Sequence, residues 1–366
     1  MARIPRTYVL DESEVGVYHC INRCVRRAFL CGTDAATGHC FDHRKQWIQD
    51  RLEYLAGQFG IDVLGFAVMS NHLHAVLRNR PDVVAQWSDE EVVGRWWMLF
   101  PKRRKEDGSP ADPQEHELQM LAADADKLAE LRKRLSSLSW FMRCLAEPIA
   151  RASNREDKCT GRFWEGRFKC QPLLDESAVA ACMAYVDLNP IRARIAKTPQ
   201  SSRFTSIYER MQSMKAENGR QEDEKAKRAD GEAEDKSLEH KRPAAPHDGW
   251  LSPVELARDE RSERKPVRTR RASNKGCLAM SLADYLRLLD WTGRQLRRDK
   301  RGAIPADVSG ILERLQISEA GWIDLVHDFG RLFHRAAGRP ASLACEAERC
   351  SRRWLQGISH SRNLFA

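Results

Sequence analysis

Long apolar runs are missing from this 366-residue chain. The best is Val63-Leu-Gly-Phe-Ala-Val-Met69, well short of the roughly 18–20 residues that cross a bilayer, so no membrane segment is expected. The opening residues, Met-Ala-Arg-Ile-Pro-Arg, place no apolar stretch behind their charges, which argues against a signal peptide. A soluble, cytoplasmic protein is the expectation. Paired cysteines are missing too. The 11 cysteines are scattered with no Cys-x-x-Cys, and an odd number without an export signal argues against a disulfide framework. Cys20, Cys24, Cys31 and Cys40 lie near His19, His39 and His43, but at spacings that fit no standard zinc knuckle. Packed, reduced thiols are the simpler reading; a zinc-stabilised RNA-binding protein is the one that would use them otherwise. Finally, there is no acidic excess. Lys and Arg outnumber Asp and Glu by 61 to 52, giving +9, which tilts the choice of partner towards a polyanion, nucleic acid first.

With 42% hydrophobic and 31% charged residues the chain is globular rather than disordered throughout, and long enough for two or three domains. Composition breaks between Ser213 and Asp248, where no aromatic and almost no large apolar residue occurs. Such a stretch buries too little surface to offset the entropy of ordering, so a flexible linker is expected, with transient helix permitted. Arg261–Lys275 follows, with seven basic residues against one acidic, either a solvated tether or an arm that grips phosphates. Beyond Ser281, helical stripes return: Leu282, Tyr285, Leu286 and Leu289, then Trp322, Leu325, Val326, Phe329, Leu332 and Phe333 behind a Ser318 cap. They imply a small helical region whose outer face carries Arg294, Arg297, Arg298, Lys300 and Arg301. The expected division is therefore 1–212, a linker with basic arm over 213–278, and a helical domain over 279–366.

The first part reads as α+β. Strands are expected at Val15–Arg23, Ile61–Met69, His72–Arg78 and Arg167–Leu174, the second apolar enough to be central and joined to the third by a Ser70-Asn71 turn. Helices are expected at His43–Gly57 and Glu176–Leu188, the latter ended by Pro190, with a mostly helical insertion over about 83–150 capped at Ser88. That order suggests a split βαβ (ferredoxin-like) antiparallel sheet with helices on one face.

Three stretches could carry chemistry. In Met69-Ser-Asn-His-Leu-His-Ala-Val-Leu77 the two-residue period of a strand puts His72 and His74 on one face, with Cβ atoms roughly 7 Å apart. Two imidazoles so placed either converge on a metal ion or are partly buried and hydrogen-bonded. In Met183-Ala-Tyr-Val-Asp-Leu-Asn-Pro-Ile-Arg-Ala193 the i, i+4 spacing sets Tyr185 and Asn189 on one helix face. A phenol can attack phosphorus and an amide oxygen can complete a metal's coordination; alternatively Tyr185 packs and Asn189 caps. In Cys159-Thr-Gly-Arg-Phe-Trp-Glu-Gly-Arg-Phe-Lys-Cys170 cations alternate with aromatics, which suits phosphates and bases, or else a strand with snorkelling cations over a buried aromatic side.

Together these stretches resemble the HUH-type single-tyrosine transposases, REP-associated tyrosine transposases most of all, and the insertion-sequence enzymes related to them. The resemblance is carried by Phe66–Leu77, Gly161–Lys169, Ala184–Arg192 and the first strand Tyr18-His-Cys-Ile-Asn-Arg23, in order, across residues 15–195, about half of the chain. It implies that His72 and His74 are the metal ligands of the HUH motif, that Tyr185 is the nucleophile, and that Asn189 takes the place of a polar third ligand, often glutamine in the insertion-sequence enzymes. A divalent metal (Mg²⁺ or Mn²⁺) is the implied cofactor. Implied DNA contacts are Arg162, Phe163, Trp164, Arg167, Phe168, Lys169 and Arg192. The implied activity is metal-dependent cleavage and rejoining of single-stranded or hairpin-flanked, palindromic DNA through a 5′-phosphotyrosine. The alternative is a DNA-binding protein of the same fold that does not cut. Expected partners are DNA and a second copy of the chain, with no membrane. The long helical insertion and everything after residue 213 depart from the pattern.

Overall fold

The structure is a computed structural model describing residues 10–25, 30–34, 38–229, 246–256, 270–296 and 304–365. Its centre is a sheet of β1 (Val17–Arg23), β2 (Ile61–Val68), β3 (His72–Asn79) and β4 (Lys169–Leu173). The order is β2-β3-β1-β4 with every pair antiparallel, the split βαβ arrangement. Helix α1 (His43–Gln58) crosses from β1 to β2. Between β3 and β4 the expected insertion forms α2 (Pro81–Gln86), α3 (Asp89–Leu99), α4 (Glu115–Ala122), α5 (Ala125–Leu135) and α6 (Leu138–Glu156). The Ser88 hydroxyl accepts from the Glu91 N–H at 3.1 Å, the cap read from the sequence. After β4 come α7 (Glu176–Asp187), α8 (Asn189–Arg192) and α9 (Ser206–Ala229). The last part holds α10 (Leu282–Gln295), α11 (Ala306–Arg314), α12 (Glu319–Leu332), α13 (Pro340–Arg349) and α14 (Ile358–Leu364). Among the described residues no helix is long and apolar enough to cross a membrane.

Alternation along the strands sorts residues between two cores. Leu73, Ala75 and Leu77 of β3 join Tyr18, Cys20, Leu52, Leu55 and Phe141 on the face covered by α1 and α6. Val76, one step along, joins residues of α7, α10 and α12 on the other face. Helices were expected on one face only. The second face is covered as well, because α7 packs on β2, β3 and β4 and α12 packs on α7. Sandwiched in this way, α7 is buried nearly all round, which accounts for a sequence of small and apolar residues without a polar stripe.

Two expectations about position need correcting. The second strand was expected to be central; β2 instead lies at the sheet's edge. It is nevertheless fully buried. Its outer side is closed by Ser252, whose N–H donates to the Val63 carbonyl at 2.9 Å, and by Val68 N–H donating to Phe204 at 3.0 Å. Ser206 and Arg210 of α9 add bonds to Phe66 N–H and the Leu64 carbonyl. An edge sealed by side chains and loops is as protected as a paired one, so its composition reads as central. Parts of the stretch expected to be linker, 213–278, are structured. α9 continues to Ala229, and Trp250, Leu251 and Val254 are core residues. From Arg270 the basic stretch docks: Arg78 donates to the carbonyls of Lys275 and Gly276 at 2.6 and 2.7 Å, and Arg271 to that of Leu251 at 2.7 Å. Most of the basic arm, and Arg297, Arg298, Lys300 and Arg301, lie outside the described residues.

Candidate active site

β3 and α7 bring the predicted residues together. His72 and His74 leave β3 on the face that α7 covers, their ring centroids 4.7 Å apart. Tyr185 lies against them, its ring 5.6 Å from that of His74 and edge-on to it. Asn189, the first residue of α8, is buried, and its Nδ2–H donates to His74 Nε2 at 3.0 Å. Asn189 therefore does not spend its side chain on capping. The helical turn through Leu188 preserves the i, i+4 relation, so phenol and amide reach one strand residue together.

A third histidine completes the cluster. His19 of β1 is buried and sits 2.9 Å from His74, Nε2 to Nδ1. With His74 Nε2 accepting from Asn189, its Nδ1–H is the donor and His19 Nε2 the acceptor. His19 in turn bonds the Gln171 side chain on β4. A chain of polar groups, Gln171–His19–His74–Asn189, thus crosses the sheet and sets the tautomer and orientation of His74. His72 is held by Asn71, which accepts from its Nδ1 and leaves Nε2 open. In the sequence His19 stood out only beside the early cysteines and within the first strand Tyr18–Arg23, with no role of its own. Its signal was the alternation of β1, which sends Val17, His19 and Ile21 to one face; what that face meets is a matter of register.

Burial pushes His19 and His72 down to about 4, from an ordinary value near 6.5, with smaller contributions from His72 on His19 and from Arg23 on His72. His74 is lowered well below its ordinary value by burial first, then by the neighbouring imidazoles of His19 and His72 and the cations Arg23 and Arg192. All three imidazoles are therefore neutral at pH 7, the form that binds a metal ion. Two neutral imidazoles with open or exchangeable Nε2 atoms and a carboxamide suit a divalent cation such as Mn²⁺. Turning the Asn189 amide would present its oxygen as third donor. No three His, Cys, Asp or Glu side chains form a metal cage among the described residues, and that includes the early cysteines, of which Cys20, Cys24 and Cys31 are buried in the core.

The expected DNA contacts divide. Arg162, Arg167 and Lys169 are exposed. Their block runs alongside the end of β1, where Glu165 N–H donates to the Arg23 carbonyl at 2.8 Å. Arg23 itself pairs in register with His72, so these cations flank the histidines. The aromatics do not face outward. Phe163 and Phe168 are buried in the core, and Trp164 is half-buried with its indole N–H on the Ala146 carbonyl at 2.8 Å. Stacking on bases is corrected to packing for Phe163 and Phe168; apolar burial wins wherever a strand-like alternation offers an inner face. Arg192 stacks over the Tyr185 ring at 4.8 Å and donates to the His327 carbonyl, so it belongs to the tyrosine's surroundings.

One further ring lies against Tyr185. Phe329 of α12 lies 5.7 Å from its ring. Asp187, two residues on, is buried, and burial raises its carboxyl above the ordinary range. It accepts from Ser206 Oγ at 2.5 Å, Ile207 N–H at 3.0 Å and Tyr285 Oη at 2.7 Å, which ties α7 to α9 and α10.

No protein family and no curated protein matches this sequence. Among solved structures, a REP-associated tyrosine transposase bound to a REP hairpin is similar over 57% of this chain and 84% of its own, with 11% identity and a TM-score of 0.33. The geometry of the site, not this likeness, carries the functional reading.

Proposed function

We propose that the chain is a tyrosine-dependent DNA transposase, cutting and rejoining single-stranded or hairpin-flanked DNA. The observation that carries this is the placement of the Tyr185 phenol beside His74, with His72 and Asn189 on the same face of the sheet. The Tyr185 oxygen attacks phosphorus in line, losing its proton as the P–O bond forms. The bond to the 3′ oxygen breaks, that oxygen takes a proton, and the DNA is left joined to Tyr185 through a 5′-phosphate. Attack by a DNA 3′-hydroxyl reverses the step, so no nucleotide cofactor is consumed. A divalent cation (Mg²⁺ or Mn²⁺) held by His72, His74 and Asn189 would supply polarisation of the scissile phosphate. Asn71 and His19 keep the two imidazoles aimed. The Arg192 guanidinium, over the tyrosine ring, sets positive charge where the phosphate approaches. Exposed Arg23, Arg162, Arg167 and Lys169 attract the flanking backbone.

A second reading, binding without cutting, is favoured by Phe329, which packs against the half-buried Tyr185 ring. One experiment separates the two. The protein is incubated with Mn²⁺ and labelled single-stranded hairpin DNA, then run under denaturing conditions. A denaturant-resistant adduct is expected, absent in Tyr185→Phe and strongly reduced in His72→Ala at the same Mn²⁺ concentration. An adduct undiminished in Tyr185→Phe removes the tyrosine from its role. Hairpin binding with no adduct in any divalent metal establishes the second reading.

A further inference from the structure

Beside the histidines, where β2 ends and turns towards His72, a cavity of about 510 Å³ is lined by Lys45, Val68, Pro190, Ile195, Arg203 and Phe204, among others. That volume is in the range of sites for small organic groups. Pro190 is the next residue after Asn189, so cavity and histidine cluster adjoin. Phe204 holds the left-handed backbone conformation, with φ of 63°. A bulky side chain is strained there, and such strain persists only where the surroundings impose it, commonly at ligand clamps. Its carbonyl is fixed by the Val68 N–H at 3.0 Å. Its ring is half-buried, and the exposed Arg203 sets its guanidinium 5.4 Å from the ring centroid. Ile195, 49% exposed, is one of few large apolar side chains left to solvent among the described residues. A flat ring, a planar cation and an aliphatic chain around one cavity suit a flat heterocycle; Asp42 lines it too, paired with Lys45 at 2.8 Å. Phe163 and Phe168 are turned into the core, whereas the half-buried Phe204 lines the cavity.

We propose that this cavity holds the unstacked base of a nucleotide flanking the cleaved phosphate of single-stranded DNA, with Phe204 and Arg203 as its stacking platform. The proposal rests on the DNA-cutting reading of His72, His74 and Tyr185, and extends it to how the strand is seated. To test it, hairpin oligonucleotides carrying 4-thiothymidine at one flanking position at a time are bound to the full chain in chelator and irradiated. The cross-linked peptide is then sequenced. One flanking position is expected to cross-link within residues 201–204. Phe204→Gly removes the ring yet suits the positive φ, and Arg203→Ala changes an exposed side chain. Each is expected to weaken binding of the flanked hairpin roughly 5- to 100-fold, as loss of one stacked base does, and to leave a hairpin without flanks unaffected. Circular-dichroism melts confirm folding, and Arg203→Ala decides the matter if Phe204→Gly does not fold. Cross-links confined to other segments, with unchanged affinity in the folded variants, overturn the base site and leave the cutting reading standing. Failure to bind any DNA overturns both. A cross-link at Phe204 without a tyrosine adduct supports the base site and counts against cutting alone.

Discussion

The two faces of the sheet are made by the same strands and hold opposite kinds of chemistry. On one, Leu73, Ala75 and Leu77 meet α1 and α6 in a closed apolar core. On the other, residues a single step along, His72, His74 and His19, meet Tyr185 and Asn189 from α7 and α8. Burying two imidazoles and half-burying a third costs little only because each finds a partner: His19 has Gln171 and His74, His74 has Asn189, His72 has Asn71. A strand can thus give a packing surface and a site at once, provided the polar face is internally satisfied and lies near an open end.

The contrast can be broken most sharply from the apolar side. Phe141 of α6 is fully buried and meets Phe59 at 5.4 Å between ring centroids. Phe141→Ala is expected to cost about 3–5 kcal/mol in urea unfolding while leaving adduct formation per folded molecule unchanged. Selective loss of the adduct in fully folded protein would mean that the faces are not independent.

Acid should act through the polar face. Between about pH 6.5 and 4 the unfolded chain binds protons that the buried, neutral imidazoles of the fold do not. Stability in metal-free protein is therefore complete above pH 6.5 and declines as pH falls towards 4, by about 3 kcal/mol for His19 alone. Urea unfolding at stepped pH in chelator reads this out, and His19→Gln should flatten the profile. A profile already flat in the unaltered protein would contradict neutral burial of His19.

The smallest expected effect sharpens the role of the His19–His74 bond. His19→Ala leaves the His74 Nδ1–H without its acceptor, and Mn²⁺ affinity, followed by paramagnetic resonance, should drop about 10- to 100-fold. His19→Gln, which restores an acceptor oxygen, should recover part of it. Equal losses in both variants would assign His19 to packing alone.

Much of this architecture was legible beforehand because it depends on local period. Strand alternation put His72 and His74 together, and helical spacing did the same for Tyr185 and Asn189. Serine caps at Ser88 and Ser318 marked helix starts, and both accept the expected backbone bonds. The third stretch was ambiguous because cations and aromatics alternate equally well for either orientation. Its inward turn was decided by apolar area available beneath it. Trp250 was hidden for a different reason: a few anchors at the end of a polar window vanish in its average composition.

The sequence by itself determined which residues share a face, since that follows from the pitch of a strand or helix and needs no partner. Only the tertiary structure decided which faces meet. Pairing of β1 with β3 brings His19 to His74 across 55 positions of chain, docking of residues 250–252 and 204–206 buries an edge strand, and α12 settles over Tyr185. Those outcomes depend on register and on surface buried between distant segments, quantities that no local window contains.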